Sequence, residues 1–410
     1  MAGFIDLLRS GAWLTRERVR LIALALLVAA VIGAGFLIAT SDGRNDRFGR
    51  PLGTDFSNVY AAGTYVLDGQ PAAPFDPARQ YAREQAIFGS ATPFYGWHYP
   101  PFFLGLAALL ALMPYGLALL AWQGVTLALY LTSIRSILGT SDHLWLLLAA
   151  AFPAVFINLG QAHNGFLTAA VIGGALWQLD QRPWLAGILF GLLAYKPQFG
   201  LLIPLILMAS GRWRVFSSAA VTVAVLALAV TLAFGTDMWS AFLASTNFTR
   251  TVVLEQGGTG WFKIQSAFAW VRMWGGGIAL AYAMQGAVTL AIAAALIWLW
   301  RSATAFALKA ALLIIGCVLA TPYSLDYDLM LLAPAIAFIA ADGMARGFGS
   351  YEKTILAALW IVPLIARSVP EATLIPLAVP VMLLAFGLVL RRAMSESWAA
   401  PASGVLPREA

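Results

Sequence analysis

Long apolar runs separated by short polar breaks dominate this chain. Residues 21–40 form the first run, which follows Arg16, Arg18 and Arg20. A spanning helix needs about 20 apolar residues, so this run reads as a first transmembrane helix. It has no clear small-residue cleavage site, which points to an uncleaved helix with a cytoplasmic N-terminus. Residues 41–99 then break the pattern with many charges, prolines and glycines. Within them, Phe56–Leu67 and Pro77–Phe88 have the pattern of amphipathic helices suited to lying on a membrane surface.

Beyond residue 100 the apolar runs follow closely, at 102–113, 116–134, 144–157, 166–179, 185–194, 201–208, 215–234, 278–300, 305–320, 329–341, 355–365 and 374–390. Several are too short for a straight crossing, and broken helices are tolerated where they line a cavity. Lys and Arg concentrate on the cytoplasmic side of membrane proteins. Placing Arg182, Arg212, Arg214, Arg301, Lys309, Arg346, Lys353, Arg391 and Arg392 inside puts 41–99, 160–164, 196–198, 236–277 and 321–328 outside. Arg135 fits inside only if 102–134 crosses once, with Pro114 marking a broken helix. The expectation is an all-α polytopic membrane protein of about 12 spans. It is one integral domain: first helix 21–40, first outer loop 41–99, helices over 100–235, second outer loop 236–277, helices over 278–391, and a cytoplasmic tail 392–410.

Composition agrees. Hydrophobic residues make up 61% of the 410 and charged residues 11%, with a mean hydropathy of +0.80. A soluble domain carries about a quarter charged residues, so a soluble enzyme is excluded. The net charge of +6 is explained by inner helix ends, and no basic block interleaved with aromatics suggests nucleic acid. Cys317 stands alone, which excludes an intramolecular disulfide and a cysteine metal cage.

Polar residues at membrane depth or its edge are costly, and so are candidates for function. Asp55, just before the 56–67 pattern, is by spacing alone more simply a helix cap; the sharper reading is a general base in an apolar pocket. Trp97-His98-Tyr99-Pro100-Pro101 reads as an interfacial aromatic belt, or as a surface for a sugar ring with His98 as a hydroxyl or phosphate contact. Gln161, His163 and Asn164 form a polar turn or the donors of a cleft. Lys196, placed outside, calls for an anionic partner such as phosphate. The 236–277 segment carries Arg250, Lys263 and Arg272, with glycines at 257, 258, 260 and 275–277 that suggest a mobile loop or lid. Tyr323 precedes Asp326-Tyr327-Asp328, a pattern used for divalent cations elsewhere, although Asp326 can equally cap a helix.

The order of these pieces resembles glycosyltransferase family 87, the polyprenol-phosphate-mannose-dependent mannosyltransferases of GT-C fold. The residues that carry the likeness are an Asp after helix one, Tyr60-Ala61-Ala62-Gly63 with Val66-Leu67-Asp68-Gly69, Tyr99-Pro100-Pro101, Gly160-Gln161, Lys196-Pro197 and Thr321-Pro322. The resemblance implies a bacterial inner-membrane enzyme that moves mannose or a related sugar from a polyprenyl-phosphate donor to a glycolipid or glycan acceptor on the periplasmic side. It implies Asp55 as the catalytic base and Lys196 at the donor phosphate, with Arg250, Lys263 and Arg272 as further phosphate contacts. Tyr60, His98, Tyr99, Gln161, His163, Asn164, Tyr323 and Tyr327 are the candidate substrate contacts. Where similar members often carry histidines after the Ser/Thr-Pro motif, this chain has Tyr327 and Asp328, so a divalent cation on Asp326 and Asp328 stays open and no metal site is assigned. The rival class is a secondary transporter or flippase of a lipid-linked saccharide, but no internal repeat is evident and the polar residues cluster on one side.

Overall fold

A computed structural model describes residues 2–140 and 142–399. Among these residues the chain is helical, with three isolated β-bridges and no strand. Six helices are long and apolar enough to cross a membrane: Arg16–Ala39, Tyr115–Leu138, Trp213–Phe234, Ile278–Arg301, Asp326–Arg346 and Ala378–Glu396. His143–Ala150 and Pro153–Gln161, bent by 46°, make a seventh if the pair counts as one broken span. The expected figure of about 12 spans is therefore not reproduced. The other apolar runs fold as shorter helices, Pro101–Ala111, Gly165–Gln178, Pro183–Tyr195, Pro197–Ala209 and Phe306–Ala320.

Proline sets many of the breaks. Pro101, Pro153, Pro183 and Pro197 each stand in a first helical turn, where the missing N–H has no helical partner to lose. Pro114 separates Leu104–Ala111 from Tyr115–Leu138, as the sequence suggested. The same chemistry starts a new helix at Lys196-Pro197 and leaves Lys196 in the break, at φ −130° and ψ 69°.

Close packing rests on small residues, as expected where lipid supplies no hydrophobic drive between helices. A Cβ at Gly187 would lie 2.5 Å from the Val215 carbonyl oxygen, and one at Gly191 would lie 2.6 Å from Thr222 Cβ. These two glycines, four apart, let Pro183–Leu192 press against Trp213–Phe234. A Cβ at Gly63 would come within 2.1 Å of the Ala107 carbonyl oxygen. That contact draws Phe56–Leu67 onto Leu104–Ala111 and corrects the expectation of a surface helix, because most of Phe56–Leu67 is buried. Pro77–Phe88 is amphipathic but buries the stripe Gln80, Glu84 and Phe88 against the protein rather than a membrane.

The core lies around Phe306–Ala320 and Leu332–Arg346, both almost wholly buried. Arg16–Ala39 is the opposite: Ala23 is its only buried residue, and it touches chiefly His143–Ala150 and Pro153–Gln161. At the end expected to face the cytoplasm, Arg392 pairs with Asp342 at 2.6 Å and Glu352 at 2.5 Å, and Arg346 with Glu396 at 2.9 Å. The arginines that oriented the sequence thus also tie three helix ends together. The expected tail is helical as far as Ala399; residues 400–410 lie outside the described residues.

Candidate active site

Asp55 stands at the first position of Phe56–Leu67, yet its carboxyl makes no capping hydrogen bond. The cap reading is therefore not what this side chain does. Its backbone N–H instead donates to the Gln161 carbonyl at 3.1 Å. Two residues earlier, Gly53 has φ +69°, and a Cβ there would meet Ala162 Cβ at 2.8 Å. Ala162 is itself left-handed at φ 49°, where Pro153–Gln161 ends, and its carbonyl accepts from Trp122 Nε1 at 3.0 Å. The 41–99 segment is thereby seated on the 160–164 turn.

The carboxyl faces a cavity of about 790 Å³. His98, Tyr99, Gln161, His163, Lys196, Tyr323, Tyr327, Arg250 and Lys263 also line it, so residues far apart in sequence meet at one place. Four expected site residues do not line it. Tyr60 donates its hydroxyl to the Met113 carbonyl at 3.0 Å, which makes it a packing residue. Asn164 is buried beneath the turn. Arg272 is spent on the carbonyls of Gly276 and Glu255, at 2.6 and 3.2 Å. Asp326 lies behind Arg367, bonded to it at 2.7 Å.

The wall also includes residues that sequence reasoning missed: Arg50, Asn58, Gln198 and Arg367. Arg367 follows an apolar run in the last third of the chain, where no motif marked it. Asn158 is missed too. It donates to the Tyr327 carbonyl at 3.0 Å while its Oδ1 accepts from Gly165 N at 3.0 Å, joining the 160–164 turn to Asp326–Leu331.

Enclosure shapes the electrostatics. Asp55 is pushed up to about 7, first by burial and then by the Asp326 charge, with Arg367, Lys263 and Lys196 pulling the other way. Glu84, wholly buried behind the wall, rises to about 8 for the same first reason. It accepts from Tyr95 N at 3.0 Å and from Gln80 Nε2, and Gln80 Nε2 also donates to the Asn58 carbonyl at 2.9 Å. His98 is pushed down to about 4 by burial, so it is neutral near pH 7, and its Nδ1 meets Thr249 Oγ1 at 2.9 Å.

The Asp-Tyr-Asp stretch does not form a cation site. Lys196 Nζ meets Asp328 Oδ1 at 2.5 Å, and Arg367 holds Asp326 Oδ2. The remaining oxygens accept backbone N–H groups, Asp328 Oδ2 from Leu325 and Asp326 Oδ1 from Tyr327. Among the described residues no group of three or more His, Cys, Asp or Glu is placed to hold a metal.

The aromatics are structural as well as lining. Trp97 and Tyr99 are buried in a cluster with Phe56 and Phe103, which corrects the interfacial-belt reading. Tyr99 hydroxyl lies 3.1 Å from His163 Nε2, and the His163 ring stacks on Tyr327 at 3.6 Å. The 236–277 segment is folded, with Asp237–Phe248, a π-helical turn at Thr249–Glu255, Trp261–Lys263 and Ala267–Met273. Leu254, Ile264 and Phe268 pack on Leu325. Its glycines serve turns, with φ +72° at Gly257 and +86° at Gly260.

Residues 97–322, more than half of the chain, match the model of glycosyltransferase family 87. The chain belongs to glycosyltransferase family 87. Comparisons with curated proteins and with solved structures gave no match. Family membership and the apolar spans make the protein a membrane glycosyltransferase. The part matched to family 87 includes His98, Gln161, His163, Lys196 and Lys263, while Asp55, Asp328 and Arg367 lie outside it and reach the same cavity through the fold.

Proposed function

We propose that this family 87 protein transfers a sugar from a polyprenyl-phosphate donor to a glycolipid or glycan hydroxyl at the outer face of a bacterial inner membrane, with Asp55 as general base. The observation that carries this reading is the Asp55 carboxyl itself. It has no cap to make, it opens on a cavity lined with cations, and it is held near 7, where a base is half ionised at neutral pH and still strong enough to take a proton.

The acceptor oxygen attacks the anomeric carbon and its proton passes to Asp55. The bond from that carbon to the phosphate oxygen breaks, and the phosphate leaves with the electron pair through an oxocarbenium-like state. Cations on the wall offset the charge that develops on the phosphate. Tyr99, His163 and Tyr327, with the His163 ring stacked on Tyr327, give the cavity an aromatic wall of the kind that suits a sugar ring. The donor's chain would lie along the apolar helices beside the cavity, where its burial is favourable.

The test is a mass-spectrometric assay in detergent with a panel of polyprenyl-phosphate sugars and candidate glycolipid acceptors. Sugar transfer from a lipid-linked donor supports the reading. Failure with every such donor by a folded protein overturns it. Movement of a lipid-linked saccharide between compartments without any transfer product would favour a flippase instead.

A further inference from the structure

Five cations line the cavity, and their surroundings differ. Arg50 is held by Asp46 Oδ2, at 2.9 Å from one terminal nitrogen and 3.0 Å from Nε. Lys196 and Asp328 are both nearly fully buried, with 5% and 2% of their side chains exposed, and meet at 2.5 Å. Such a pair is close to neutral as a unit: breaking it strands a charge, and keeping it leaves little net charge for a ligand, although only one of the three Lys196 N–H donors is used. Arg250 is turned to Asn247 Oδ1 at 3.0 Å and towards Glu255.

Arg367 is built differently. It begins the Ser368–Thr373 helix, and 43% of its side chain is exposed. Its Nε and one terminal nitrogen both reach Asp326 Oδ2 at 2.7 Å, so one carboxylate oxygen takes two of its five donors. The other terminal nitrogen has no hydrogen-bond partner among the described residues. The Ser368–Thr373 helix touches Trp261–Lys263, and Lys263 forms no ion pair among the described residues. These two cations are also the strongest attractive charges acting on Asp55, ahead of Lys196. Arg367 thus offers a planar edge suited to phosphate oxygens, and Lys263 a second charge beside it.

Resting on the donor proposed above, we propose that Arg367, with Lys263 beside it, binds the phosphate of the lipid donor, and that Lys196 is a positioning residue that neutralises Asp328. This goes against the assignment that the Lys-Pro motif implies, and it puts the anion site on a segment beyond the family-matched stretch.

The test is equilibrium binding of decaprenyl monophosphate, followed by tryptophan fluorescence in detergent, with decaprenol as the phosphate-free control. Arg367→Gln should weaken phosphate binding by about 10- to 100-fold, the loss expected for a charge-assisted bond, and leave decaprenol binding unchanged. Arg367→Lys should recover part of the loss. The double variant Lys196→Met/Asp328→Leu, which removes the pair without stranding a charge, should keep affinity within about threefold. If it fails to fold, the swap Lys196→Asp/Asp328→Lys answers the same question. Wild-type affinity in a folded Arg367→Gln protein, or loss of binding in a folded neutral double variant, overturns the inference and leaves the donor reading standing. A wild-type protein that does not bind decaprenyl monophosphate at all overturns both.

Discussion

The Asp55 N–H donates to the Gln161 carbonyl at 3.1 Å, across more than a hundred residues of sequence. Because the bond uses backbone atoms, it places the carboxyl without consuming it. The carboxyl is thus fixed in space and left free of the backbone.

Asp55→Asn should lower transfer about 10²–10⁴-fold if this carboxyl is the sole proton acceptor. The pH profile sharpens the expectation. With a value of about 7, the carboxyl is protonated and inactive at low pH, so wild-type kcat/KM should rise through pH 7 and then level. A full-rate Asp55→Asn protein, or a flat wild-type profile between pH 5 and 9, would remove Asp55 from the mechanism.

Glu84 makes a separate prediction. Its folded value of about 8 lies above its ordinary 4.5, so the folded protein binds the proton more tightly than the unfolded chain. Its contribution is fully present below pH 4.5 and is lost as pH rises through 8. Glu84→Gln should therefore flatten the fall in melting temperature over that window, while Tyr95 N keeps an oxygen to donate to. An unchanged slope in the variant would count against a neutral buried Glu84.

Chelation gives a third. Since Asp326 and Asp328 are each occupied by a cationic side chain and a backbone N–H, EDTA should leave transfer within about twofold of the untreated enzyme. Loss of activity on EDTA treatment, restored by a divalent cation, would show that those ion pairs open for a metal.

Much of the fold is legible in the sequence because apolar periodicity and proline placement are local. Phe56–Leu67 and Pro77–Phe88 appear with the bounds their pattern suggests. Pairing is not local. Whether Phe56–Leu67 lies on a membrane or against protein depends on Gly63 meeting the Ala107 carbonyl, a contact its own hydropathy does not encode. The site divides in the same way. Gln161, His163 and Lys196 stand out as polar residues in apolar surroundings, and Asp55 by its place just before an amphipathic helix pattern. Arg367 does not, because its meaning comes only from Asp326 on another segment. The partner of Lys196 is hidden for the same reason: nothing beside it in sequence reveals Asp328, 132 residues away.

The sparse packing of Arg16–Ala39 has a mechanical consequence. A helix that buries only Ala23 is held in place by the bilayer more than by its neighbours. A hydrophobic stretch of this length can tilt to match the thickness of the hydrocarbon layer. Leu37, near its C-terminal end, forms part of the cavity wall, and the loop that carries Asp55 follows directly. The least packed helix is thus joined at one end both to the cavity wall and to the segment that carries Asp55.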